Sequence, residues 1–163
     1  DVYKRQAGQP IPNIIGMAFS YSMTIAVLYP AFALAVLIFS KSNQLKTVGK
    51  ISIAPAFFGI SEPLMFGVPV VMNPFMAIPW IISPTVNVLL GWLACSSGLV
   101  ARYAGVTVFN FPMGVTGILN GSFTIAILEV VVCIIDVLIF MPFVRIQDKK
   151  YIDAEKAAET EQN

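Results

Sequence analysis

Between Ile51 and Val144 the chain carries formal charge at only four residues, Glu62, Arg102, Glu129 and Asp136. A hydrocarbon solvent demands that scarcity, because it hydrates neither ions nor free backbone groups. Composition agrees: 57% of the 163 residues are hydrophobic, against about 45–50% in soluble domains. The chain is therefore read as an integral membrane segment of the all-α class. A net charge of +1 with dispersed basic residues offers no groove for a polyanion, so nucleic acid is excluded as a partner. There is no histidine, and Cys95 and Cys133 lie in apolar stretches without paired spacing. No metal site, disulfide or cofactor is expected, and both thiols are read as small packing residues.

Three runs are long enough to cross a hydrocarbon core of ~30 Å, for which about 20 helical residues suffice: Ile11–Ser40, Phe75–Val100 and Ser122–Val144. Pro30 inside the first predicts a packing kink. After it, Lys41, Lys46 and Lys50 in the stretch KSNQLKTVGK predict a cytoplasmic loop. Residues 51–74 are apolar but hold Pro55, Gly59, Pro63, Gly67, Pro69 and Pro74, which argues against one uninterrupted helix. Residues 105–121, GVTVFNFPMGVTGILNG, are equally broken.

Charge decides how these broken segments run. A full crossing by residues 51–74 would put the C-terminal cluster Arg145, Lys149 and Lys150 on the opposite side from Lys41, Lys46 and Lys50. A segment that dips in and returns keeps both clusters on one side. The same logic requires residues 105–121 to return to the outer side. The expected architecture is thus a fragment of a polytopic transporter with three spanning helices and two re-entrant or broken segments. Residues 1–10 read as a terminal scrap partly foreign to the protein, 11–144 as part of a substrate-transport domain, and 145–163 as a cytoplasmic polar tail.

Glu62 within GISEPLMFGVPVVMNPFMAIP must face protein or water, since a charge at mid-membrane costs about 2.5–3.5 kcal/mol on insertion scales. Broken backbone at that depth is how many transporters build polar substrate sites. A contact to substrate or ion and a cap on the half-helix starting at Pro63 are both open readings. Glu129 and Asp136, seven residues apart, lie on one face of the last helix. They read as proton or cation sites of an ion-coupled transporter, or more simply as interhelical bonding groups. Gly117 and Gly121 in GILNG predict close backbone packing. Asn73 and Asn110 place amides where helices break, and Phe109 and Phe111 offer an aromatic face, the ingredients of a carbohydrate site.

The run from Lys41 to Pro84, above all Gly59, Ser61, Glu62, Pro63, Phe66, Gly67, Pro69, Asn73, Pro74, Ile78 and Pro79, resembles the membrane-spanning IIC component of bacterial phosphoenolpyruvate-dependent sugar phosphotransferase systems. The likeness is to the lactose, cellobiose and diacetylchitobiose branch. Asp136 to Phe143 agrees as well, and the match runs from about residue 11 to 150. The resemblance implies a homodimeric permease of the bacterial cell membrane, dimerised through an N-terminal half outside this chain, with its C-terminus cytoplasmic. It implies a β-linked disaccharide or chito-oligosaccharide as substrate and a cytoplasmic IIB protein whose phosphocysteine donates the phosphoryl group. It assigns Glu62 to the sugar hydroxyl that becomes phosphorylated and Ser61 to a further sugar contact. The family also pairs this glutamate with an upstream histidine, which this chain lacks, so the site is expected to be incomplete as it stands. Where the family often has a stacking tryptophan, near residues 108–112, this sequence reads VFNFP.

Overall fold

The computed structural model describes residues 2–161, and among these every regular element is helical. A short α1 (Val2–Gln6) is followed by α2 (Met17–Tyr21), a π turn (Ser22–Ala26) and α3 (Leu28–Phe39). Then come α4 (Asn43–Phe57), α5 (Glu62–Gly67), α6 (Pro74–Ser96), α7 (Val115–Leu119) and α8 (Phe123–Glu161). Three helical stretches are long and apolar enough to cross a membrane: Met17–Phe39, Pro74–Ser96 and Phe123–Thr160. They are the three spans predicted above.

The spans pack around α8. Phe32, Trp80 and Phe140, one from each of α3, α6 and α8, form a ring cluster with centroids 4.8–5.8 Å apart. Such edge-on and tilted contacts add to burial, each by about 0.5–1.5 kcal/mol. The π turn precedes Pro30 for a steric reason. A proline removes its own donor and crowds the carbonyl four residues back, here that of Ala26. Widening the helix over Ser22–Ala26 absorbs that clash and lets the helix continue to Phe39 without a break.

Both broken segments return to the side from which they start. The first is fixed by two adjacent residues of α8. Asp148 accepts hydrogen bonds from the backbone of Lys41 (2.7 Å) and Ser42 (2.9 Å) and from the Ser42 hydroxyl (2.6 Å) at the foot of α4. Gln147 Oε1 accepts from Asn73 Nδ2 (2.9 Å) at the foot of α6. Residues 43–73 therefore begin and end at one level of α8. At 15 residues, α4 is about 22 Å long, too short to cross. The second segment closes at the other end of α8, where the backbone N–H of Ala101 donates to Thr124 Oγ1 (3.3 Å).

One expectation changes. The predicted loop around Lys46 and Lys50 is helical, because α4 begins at Asn43 with Ser42 as its cap. The carboxylate that fixes that start comes from a residue 106 positions away in sequence. The polar tail continues the last span: α8 runs unbroken from it to Glu161. Its last turns are rich in Ala, Glu and Lys, all strong helix formers, and Glu155 accepts from the backbone of Asn43 and Gln44.

Replacing Asp148, which is 3% exposed, with alanine leaves three donors unpaired. We expect Asp148→Ala to cost on the order of 1.5–3 kcal/mol, read as a lowered thermal midpoint in detergent. Asp153→Ala, on the exposed side of the same helix, should stay near wild type.

Candidate functional site

The tips of the two returning segments meet beside Tyr21. Helix α4 ends at Phe57 and the turn that closes it carries Gly59, whose φ of +75° lies in the left-handed region that favours glycine. A Cβ there would also sit 3.1 Å from Tyr21 Oη and 3.7 Å from Asn110 Oδ1. Conformation and space thus both require glycine at this point. From the other segment, the Asn110 N–H donates to Tyr21 Oη (2.9 Å), and the Phe109 ring stands edge-on to Tyr21 at 5.1 Å. Asn110 itself has φ +57°, a conformation asparagine tolerates better than most residues. Its place between two phenylalanines is therefore that of a tip residue.

Immediately beyond Gly59 the chain reverses and α5 begins. Its first turn is built by backbone alone: the Leu64 and Met65 N–H groups donate to the Ser61 carbonyl at 3.0 and 2.9 Å. Among the described residues neither the Ser61 hydroxyl nor the Glu62 carboxylate takes part in a hydrogen bond, and Glu62 is exposed. The side-chain cap considered for them is not made, and both polar groups are free to meet a ligand. Phe109 and Phe111 are also substantially exposed, at 58% and 41%.

Asn73 is placed elsewhere. Its Oδ1 caps α6 by accepting from the Phe75 N–H (3.1 Å), and its Nδ2 is committed to Gln147. Both polar ends are occupied at the foot of the segment, away from the tip that carries Glu62. The tip residues Ser61, Glu62, Phe109, Asn110 and Phe111 form the candidate site, with Tyr21 as the contact that joins its two halves. Sequence reasoning passed over Tyr21; the cue was the polar cluster Ser20, Tyr21, Ser22 and Thr24 inside a mostly apolar run.

Glu129 holds the second tip in place. Fully buried, it accepts from Ser22 Oγ (2.5 Å) and Thr116 Oγ1 (2.9 Å) on one oxygen and from the Gly114 N–H (2.6 Å) on the other. Because Ser22 donates to Glu129, Tyr103, 3.0 Å from the Ser22 oxygen, donates to Ser22 in turn. One carboxylate thereby ties the π turn, the loop before α7 and α7 itself to α8. Gly117 makes the approach possible, since a Cβ there would lie 2.5 Å from the Ala126 backbone nitrogen. The close packing expected of the GILNG glycines is realised at that residue.

Comparison with known proteins agrees with this fold. Residues 1–84 match the family model described as Phosphotransferase system, EIIC. The chain is 36% identical over 156 residues to the oligo-beta-mannoside-specific EIIC component of Bacillus subtilis, covering 92% of this chain and 35% of that protein. It is 36% identical over 166 residues to the cellobiose-specific EIIC component of Geobacillus stearothermophilus, covering 98% of this chain and 37% of that one. Its fold superimposes on the crystal structure of the transporter ChbC, the IIC component from the N,N'-diacetylchitobiose-specific phosphotransferase system. The TM-score is 0.86 at 37% identity, over 93% of this chain and 36% of ChbC. The chain thus spans about a third of the length of the relatives it matches.

The bonds to Glu129 give a graded expectation. Glu129→Gln keeps one acceptor oxygen for Ser22 and Thr116 but turns an NH₂ toward the Gly114 N–H, which should cost about 1–3 kcal/mol. Glu129→Ala removes all three acceptances and should cost more than Gln, as measured by unfolding midpoints of the purified protein.

Proposed function

This chain belongs to the EIIC family of the phosphotransferase system, and from that premise we propose that it forms the sugar-holding part of a permease that takes up a β-linked disaccharide or chito-oligosaccharide. The observation that carries the reading is the meeting of two re-entrant tips, one bearing unpaired Ser61 and Glu62, the other exposed Phe109 and Phe111. A carboxylate and a hydroxyl that the fold leaves unused on one tip, and exposed aromatic rings on the other, are what sugar hydroxyls and the apolar face of a pyranose require.

In this reading Glu62 accepts the proton of the sugar hydroxyl as that oxygen attacks phosphorus. General-base assistance of this kind is typically worth 10²–10⁴-fold. Ser61 and Asn110 orient neighbouring hydroxyls, and Phe109 or Phe111 stacks on the ring. Asn73 serves the architecture, as its two committed bonds indicate. The phosphoryl group comes from a phosphocysteine on a cytoplasmic IIB protein. Cys95 and Cys133 are buried, within or beside the spans, and do not carry it.

The end of the bundle with Lys41, Lys46, Arg145 and Lys149 faces the cytoplasm by the positive-inside rule, which puts the C-terminus there. The exposed apolar faces of α6 and α8, including Ile81, Leu89, Ile127 and Ile134, face lipid and the parts of the permease outside this chain. Those parts supply the histidine that completes the site and the surface through which two permeases pair.

Uptake by the full-length permease should require phosphoenolpyruvate and yield sugar phosphate. Glu62→Gln should lower phosphorylation by about 10²-fold or more, with sugar binding weakened less. Undiminished phosphorylation by that variant would remove Glu62 from the reaction. Uptake that persists without phosphoenolpyruvate and collapses with the proton gradient would overturn the whole reading in favour of ion coupling.

A further inference from the structure

The buried acids of α8 are committed within the fold, Glu129 and Asp148 as described and Asp136 to Asn87 Nδ2 of α6 at 2.7 Å. Two basic residues of the same helix are placed differently. Arg145 and Lys149, one turn apart and both exposed, border a cleft of about 460 Å³ at the end of α3, together with Lys41. Among the described residues none of these three side chains is paired with a carboxylate. Asp148, the acid in the cleft, spends Oδ2 on the Lys41 N–H and Oδ1 on the Ser42 N–H and hydroxyl. Three cations therefore stand around one carboxylate whose bonds point elsewhere. The Arg145 guanidinium lies over the Phe39 ring, 5.1 Å from its centroid, a stacking that orients the group and leaves its edge N–H donors open. Such a fork suits two oxygens of one phosphate.

Helix length sets the depth of the cleft. At about 1.5 Å per residue, Arg145 and Lys149 lie about 33 and 39 Å along α8 from Phe123, whereas the hydrocarbon is about 30 Å thick and the bilayer with its headgroups about 40–45 Å. With Phe123 at one edge of the hydrocarbon, both cations reach the headgroup layer at the other. The apolar wall of the cleft is the last turn of the first span, where Ile38 is 60% exposed and Phe39 half-buried. A basic rim at headgroup depth above an apolar wall fits an amphiphilic anion better than a free one.

We propose that Lys41, Arg145 and Lys149 bind the phosphodiester headgroup of an anionic phospholipid, whose glycerol end lies against Ile38. The leaflet is the inner one in the orientation proposed above. Basic pockets between helices at that face recognise acidic headgroups through the summed charge of their side chains. The bound lipid offsets the repulsion among three like charges and braces α3 against α8 at the foot of the first returning segment.

The test uses the full-length permease in detergent, titrated with phosphatidylglycerol, phosphatidylcholine or inorganic phosphate at equal ionic strength. Native mass spectrometry counts retained lipid, and the unfolding midpoint reports stability. Retention of phosphatidylglycerol over phosphatidylcholine is expected, with a raised midpoint. Arg145→Gln combined with Lys149→Gln should weaken that retention about 25-fold, at about 5-fold for each basic charge near the surface. Both side chains are exposed, so the double variant should match wild type in phosphatidylcholine. Lys46→Gln, at the same end but outside the cleft, should retain phosphatidylglycerol as wild type does. Equal retention of the two lipids would overturn the proposal, and so would a loss in Lys46→Gln equal to that of the double variant, which would mean diffuse surface charge. A midpoint raised as much by inorganic phosphate as by phosphatidylglycerol would overturn it in favour of a free-anion site. Unchanged lipid retention in a double variant that no longer binds the IIB protein would overturn it in favour of a docking surface. The lipid readouts involve neither sugar nor phosphoryl transfer, so their failure is distinct from failure of the transport reading.

Discussion

The fold hangs on carboxylates and an amide of a single helix. Near one end of α8, Gln147 and Asp148 hold the two feet of the first returning segment; nearer the other, Glu129 holds the second. These bonds answer the demand that rules a membrane interior, where every helix that stops short leaves backbone groups with no water to bond. Asp148 satisfies the Lys41 and Ser42 N–H groups just ahead of α4, and Glu129 satisfies the Gly114 N–H before α7. Without such partners neither half-helix has a reason to end where it does.

The topology was legible from charge because the positive-inside rule acts on whole clusters, and Lys41 to Lys50 and Arg145 to Lys150 are unambiguous ones. Glu62 stands out in the sequence for a related reason, being the lone acid in a segment whose prolines and glycines already forbid a straight helix. Asp148 does not. In sequence it reads as one more charge in a polar tail, and only the fold shows it buried under the start of α4. The helical state of Asn43–Lys50 escaped notice with it, since its deciding bond spans the chain.

Asn73 and Asn110 show how far a local reading reaches. Both were singled out as polar residues at helix breaks, and both do sit at breaks. One break is a foot, where the amide caps α6, and the other is a tip, where the residue adopts a left-handed turn against Tyr21. Their sequence surroundings are too alike to tell these apart, because the difference lies in what α8 and α2 place next to them. Tyr21 was missed for the same reason: an aromatic residue in a span gives no sign that its hydroxyl joins two distant loops.

Each returning segment is bonded to α8 at its base, and the two tips share Tyr21 of α2, so the tips form a bracket held in one frame. A rotation or slide of α8 would carry Glu62 and Phe109 together and leave the spacing between them nearly unchanged.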